Sequence, residues 1–133
     1  ALQWSLVGSE MCRRDSLRTG IDINPGWENG SLYSAMISFT TTRSDLNEVM
    51  LRDSVDYYFD KAVLYSDGKD AGPYLTYAES IHKPFQERKN FVDKLNYVIN
   101  MENKPNNEFE LTNLLAKSRA KWLLARTDEY FLE

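Results

Sequence analysis

Where this chain can stop being helical constrains it more than any single motif. Six glycines and four prolines occur in 133 residues, several at evident breaks, and the long stretches between them favour helix over sheet. Within those stretches apolar residues gather on one helical face. A first segment, about Leu2 to Ile23, carries Leu6, Met11 and Leu17 and is closed by Asn24-Pro25-Gly26, because proline cannot continue a helix and turns the preceding residue away from helical angles. From about Trp27 to Phe39, Leu32, Ala35, Met36 and Phe39 fall at i, i+3, i+4 and i+7. The clearest helix of the first half buries Leu51, Val55, Tyr58, Phe59, Ala62 and Val63, with Gly68 as its left-handed stop. Asp45 and Glu48 form the expected capping box ahead of it.

The second half is punctuated in the same way. Gly72-Pro73 opens a helix carrying Tyr74, Tyr77, Ala78 and Ile81, and Lys83-Pro84 ends it. Pro84 is expected to open the next helix, with Phe91, Val92, Leu95, Val98 and Ile99 as its buried stripe, before the break at Asn103 to Asn107. Asn107 and Glu110 make a second capping box, and nothing in the sequence interrupts the last helix before Phe131. The chain reads as all-α, with about six helices arranged as antiparallel pairs. Helix ends near Tyr65 and Asn100 lie close to the ~34-residue period of a tetratricopeptide repeat. Residues 1–133 therefore form a single helical, repeat-like domain, a tetratricopeptide-like α-solenoid with a concave face for a ligand or partner.

Composition excludes several classes. A hydrophobic share of 42% supplies a core, so the chain is not a disordered tail. The longest apolar runs, such as Trp122-Leu123-Leu124-Ala125, fall far short of the roughly 20 residues that span a bilayer. A net charge of −4 and a pI near 5.1 disfavour a nucleic-acid partner. Cys12 is alone and reads as an ordinary helix cysteine. The chain starts at Ala1 without the basic and apolar regions of a secretory signal, and is expected to be processed or the C-terminal part of a longer protein.

Catalytic constellations are thin. His82, the only histidine, stands at a helix end, where an imidazolium complements the carbonyl-rich terminus. Asp53 with Asp56 and Asp128 with Glu129 are paired acids of the kind that solvated helix faces carry. No glycine-rich phosphate loop or nucleophile elbow occurs, so the expectation is a protein that is not an enzyme and uses no cofactor or metal.

Two clusters stand out as candidate binding residues. Arg119, Trp122 and Arg126 lie at i, i+3 and i+7, while Leu111, Leu114, Leu115 and Ser118 face a neighbouring direction, and both stripes ask for burial. Two readings of the first stripe stand side by side. In one, the guanidinium forks bind a carboxylate against the indole wall. In the other, Trp122 packs on an earlier helix under the arginine stems, whose heads pair with acids such as Glu79 or Asp128. The second cluster is Tyr74, Tyr77 and Glu79, joined by Tyr57, Tyr58 and Tyr65. Tyrosine suits a half-wet groove and equally the boundary of a small helical core.

Two blocks of this sequence, in order, resemble the T-component family of tripartite ATP-independent periplasmic (TRAP) transporters. The first runs from Tyr58-Phe59-Asp60-Lys61-Ala62-Val63 through Ala71-Gly72-Pro73-Tyr74 to Ala78-Glu79-Ser80. The second runs from Gln86-Glu87-Arg88-Lys89-Asn90-Phe91 through Asn113-Leu114-Leu115-Ala116 to Arg119-Ala120-Lys121-Trp122-Leu123-Leu124-Ala125-Arg126. The resemblance implies a helical periplasmic lipoprotein that forms homo-oligomers, typically trimers, and associates with the substrate-binding component of a TRAP system. It also implies a cleft for an apolar or organic-acid ligand and a lipid anchor upstream of this chain. A general scaffold that binds a protein or peptide along its concave face is the alternative.

Overall fold

A computed structural model describes residues 2–105 and 108–132, with side chains from residue 13 onward. Leu6, Met11 and Cys12 as side chains, and Asn107 of the expected second capping box, lie outside the described residues. The chain is 75% helical, and the described residues include no strand. Its α-helices are α1 (Leu2–Ile23), α2 (Ser31–Thr41), α3 (Glu48–Ser66), α4 (Gly72–Tyr77), α5 (Arg88–Asn100), α6 (Glu110–Ala125) and α7 (Thr127–Tyr130). A tight turn at Trp27–Gly30 precedes α2, and a π-helical turn at Ala78–His82 extends α4. No described helix is long and apolar enough to cross a membrane.

The expected breaks hold at Asn24-Pro25 and Gly72-Pro73, while other boundaries shift for local reasons. First, α2 starts at Ser31 because Glu28, Asn29 and Gly30 take left-handed angles, with φ of 44°, 58° and 88°. Glycine is required at the last of these, since a Cβ on Gly30 would lie 2.9 Å from the Tyr65 Cβ. Second, the cap of α3 is Asn47, whose Oδ1 accepts from the Met50 N–H at 2.8 Å. Asp45 is drawn instead to the Arg43 guanidinium, at 2.6 and 3.0 Å. At the other end of α3 the left-handed stop begins one residue before Gly68, at Asp67 with φ 56°.

Third, Pro84 does not open α5. The carbonyl of Ala78 accepts from the Lys83 N–H at 3.0 Å and that of His82 from the Glu87 N–H at 2.8 Å, so wide i→i+5 turns occupy this stretch. Gln86 is left-handed with φ 58°, and α5 begins after it at Arg88. Fourth, the last helix is interrupted at Arg126, because the Thr127 hydroxyl donates back to the Leu124 carbonyl at 2.8 Å and competes with the helical ladder.

Short connections pack α2 against α3 and α5 against α6 as helix pairs. Among the described residues the core has two clusters. Ile37, Val55, Tyr77 and Ile81 fill the first, between α2, α3 and the α4–π segment. Ala71, Ala78, Phe91, Leu95, Val98, Ala116, Ala120, Leu123 and Phe131 fill the second. Tyr77 and Ala78, adjacent in sequence, belong to different clusters, so the α4–π segment is the element common to both.

Candidate functional site

The site is built on α4 and its π turn. Its first turn is held from outside by Asn113 of α6, which is fully buried. Asn113 Oδ1 accepts from the Ala71 N–H at 2.9 Å and its Nδ2 donates to the Lys69 carbonyl at 2.8 Å. Asp70 Oδ1 accepts from the Gly72 N–H at 2.9 Å, and burial pushes the Asp70 carboxyl above the ordinary carboxylate range. Pro73 supplies a pre-set φ and needs no N–H partner. The π turn that follows sends consecutive side chains in different directions, a device frequent at functional sites.

Tyr74 and Tyr77 face inward. The Tyr77 hydroxyl donates to Asp56 Oδ1 at 2.5 Å, and burial, reinforced by that carboxylate, pushes its pKa well up. Tyr74 lies 4.7 Å from Tyr97, ring to ring, and burial together with the Tyr97 hydroxyl raises it to about 12. Between these rings sits the Lys94 ammonium, 4.5 Å from the Tyr77 centroid, 4.7 Å from that of Phe59 and 6.0 Å from that of Tyr74. Burial lowers the Lys94 pKa, with Asp56 and Asp60 pulling the other way. Tyr57, Tyr58 and Tyr65 do not join this group. They surround Tyr33, with Tyr65 stacked on it at 5.7 Å.

His82 is not a cation at an exposed helix end. Its ring is buried, and Nδ1 lies 2.9 Å from Glu87 Oε1. Burial lowers its pKa against the opposing pull of Glu87, so the imidazole is neutral near pH 7 and donates from Nδ1. Glu87 also meets Arg52 Nη1 at 3.2 Å. Against the push of burial, the bonds from His82 and Arg52 hold the Glu87 carboxyl below its usual range.

Glu79 faces outward and joins the arginine cluster. Arg119 Nε donates to Glu79 Oε1 at 3.0 Å, as the ion-pair reading of the spacing has it. The Arg119 and Arg126 guanidinium carbons lie 4.6 and 4.5 Å from the Trp122 ring centroid. Arg126 pairs with Glu129 at 3.3 Å, while Asp128 pairs with Arg88. Trp122 is not under an earlier helix, however, and stays 44% exposed. Neither stripe of α6 expected to be buried is buried. Leu111, Leu114, Leu115 and Ser118 face solvent, and the inward face carries Asn113, Ala116, Ala120 and Leu123. Small residues let α6 approach its neighbours closely. Their recurrence at i, i+3, i+7 and i+10 was the signal that the larger leucines outweighed.

The structure thus brings Glu79, Arg119, Trp122 and Arg126 into one exposed group and places Tyr74 and Tyr77 in another, both attached to the same segment. Two guanidinium groups stacked on an indole present planar cations beside an apolar wall, chemistry that suits a carboxylate. A cleft of about 550 Å³ lies elsewhere, against Lys69, Tyr97, Asn100, Met101 and Lys104. Among the described residues no three His, Cys, Asp or Glu side chains are placed to share a metal ion.

Comparison with known proteins adds family information. A family model described as the TRAP transporter T-component matches residues 16–131, which include both helix pairs and all six candidate binding residues. The chain is also similar to a protein of Treponema pallidum (strain Nichols) described as uncharacterized, at 24% identity over 119 residues. That alignment covers 88% of this chain and 36% of the relative, so the chain spans about a third of the relative's length. No solved structure matches. With nearly its whole length matched, the chain belongs to the TRAP transporter T-component family.

Proposed function

We propose that this chain is a non-enzymatic accessory subunit of a TRAP-type solute uptake system that binds the substrate-receptor component outside the cytoplasm. The observation that carries the reading is the family match across residues 16–131. Supporting it, Arg119, Trp122 and Arg126 are exposed, and Trp122 packs into neither core cluster. A homo-oligomer, a lipid anchor in the full-length protein, and an apolar or organic-acid ligand belong to the same proposal and rest on the family alone. The test is to purify the full-length protein and a TRAP solute receptor of the same organism and titrate one into the other by calorimetry. A saturable complex, weakened when Arg119 and Arg126 are both replaced by leucine, is the expected result. Absence of any complex between the full-length partners overturns the proposal.

A further inference from the structure

Helix α3 turns Val55, Ala62 and Ser66 inward and packs Leu51, Tyr58 and Phe59 beside the first core cluster. On another face Met50, Asp53, Tyr57, Asp60 and Leu64 follow at i, i+3, i+7, i+10 and i+14, the alternating three- and four-residue spacing of a helix-packing seam. The seam runs over four turns, about 21 Å. All five side chains are exposed, Met50, Tyr57 and Leu64 at 51%, 53% and 66%. Single apolar residues on a surface need no explanation, but an apolar row with an aspartate at each alternate position does. Against an apolar partner those aspartates lose water without gaining anything, and against a cation they gain a charge pair.

Charge narrows the occupant. Among the described residues neither Asp53 nor Asp60 stands in an ion pair. The cations around them are placed elsewhere. Arg52 lies between Glu48 and Glu87, and Lys61 lies 5.7 Å from the Tyr57 ring centroid. Lys94 sits among the rings of Phe59 and Tyr77, attracting Asp56 and Asp60 without pairing with either. Asp56, beside the seam, is exposed and adds a third carboxylate. The net charge of −4 has the same sign as this face. Pairing two copies through the seam brings both sets of aspartates together, and an anionic lipid surface meets the same repulsion. A basic helix is attracted by the local and the net charge alike. We infer that the open face of α3 docks an amphipathic helix of a partner protein, with apolar side chains against Met50, Tyr57 and Leu64 and Lys or Arg opposite Asp53 and Asp60. This surface is on a different helix from Arg119, Trp122 and Arg126, and the inference does not depend on the receptor reading.

Three stapled single-helix peptides, each titrated against the full chain by fluorescence anisotropy, test the surface. The first alternates leucine and lysine at the seam spacing, the second replaces its lysines by glutamates, and the third keeps the composition of the first with leucine and lysine moved off that spacing. The first is expected to bind at least about tenfold more tightly than either of the others, and more weakly as salt is raised. Asp53→Asn combined with Asp60→Asn, and separately Leu64→Ser, are each expected to weaken that binding at least about tenfold. All three positions are exposed, so the far-ultraviolet circular dichroism should stay unchanged. No binding of the first peptide, equal binding of the glutamate or the respaced peptide, or unchanged affinity in the double asparagine variant overturns the inference. Self-association in sedimentation that Leu64→Ser removes, or stronger binding to phosphatidylglycerol vesicles than to the first peptide, assigns the face to another occupant and also overturns it.

Discussion

Replacing Asn113 by alanine removes a side chain that ties α6 to the start of α4 through two hydrogen bonds. Both of its polar atoms are used, Oδ1 by the Ala71 N–H and Nδ2 by the Lys69 carbonyl, and the opposite amide orientation would satisfy neither. The substitution deletes two hydrogen bonds worth about 1 kcal/mol each. It also strands the Ala71 N–H in a fully buried position, at a further cost of roughly 1–3 kcal/mol. The Lys69 carbonyl is only partly enclosed and recovers part of its loss from water. The expected destabilisation is therefore about 3 kcal/mol. With a urea slope of about 1.5 kcal/mol/M, the unfolding midpoint drops by roughly 2 M.

Asn113→Asp separates the donor from the acceptor. The aspartate still accepts from Ala71, but when ionised it faces the Lys69 carbonyl with no proton to donate. Burial and that carbonyl raise its folded pKa above the unfolded value of about 3.9. A raised pKa means that this stabilising contribution is complete below the unfolded value and is lost as pH rises through the folded one. The deficit relative to the parent chain should therefore be larger at about pH 8 than at about pH 5. Urea unfolding followed by circular dichroism at both pH values is the assay. A loss below about 1 kcal/mol in the alanine variant, or a deficit in the aspartate variant that does not change with pH, refutes the reasoning.

Other expectations follow from single contacts. Gly30→Ala places a Cβ 2.9 Å from Tyr65 Cβ at a φ of 88°, and should cost at least about 2 kcal/mol in the same urea assay. His82 is held neutral by burial, so its contribution is present above about pH 6.5 and is lost as pH falls through its lowered pKa. His82→Gln should flatten the change in unfolding midpoint between about pH 7 and pH 5, where the lowered Glu87 carboxyl stays ionised. Arg119→Leu breaks an ion pair whose side chains are 49% and 32% exposed, so it should change stability by less than about 1 kcal/mol, read from thermal melts, with helicity unchanged.

How far the fold can be read from the sequence depends on which force acts at each position. Pro25 and Pro73 act through covalent geometry, which tertiary context does not override, and the breaks they imply are present. Phe91, Val92, Leu95, Val98 and Ile99 form one apolar stripe on α5, so periodicity suffices: three are buried, and Val92 and Ile99 pack partly buried against the same cluster. On α6 two faces compete, and residue size points to the wrong one. The face of α6 that enters the core cluster with Phe91, Leu95 and Val98 carries Ala116, Ala120 and Leu123, while Leu111, Leu114 and Leu115 are left outside. Single-helix periodicity cannot rank two faces whose order depends on how closely a neighbour approaches. The cap of α3 fails for a related reason. Asp45 fits a capping box, but Arg43 lies two residues away and takes its carboxylate, leaving Asn47 to cap.

The candidate residues divide along the same line. Arg119 and Glu79 are complementary charges and find each other at 3.0 Å across 40 positions of sequence, which charge alone made plausible. The partners of Tyr77, in contrast, follow from the π turn, which no periodicity announces. A regular helix would keep residues 77 to 82 on one continuous register. The wider turn lets Tyr77 and Ile81 fill the first core cluster, Ala78 the second, and Glu79 reach the arginine on the surface. Both clusters therefore depend on one short segment, whose start is held by Asn113 and whose outward acid is held by Arg119. Both of those residues lie on α6, the helix whose other face remains uncovered, so a partner engaging that face contacts the element that fixes the middle of the fold.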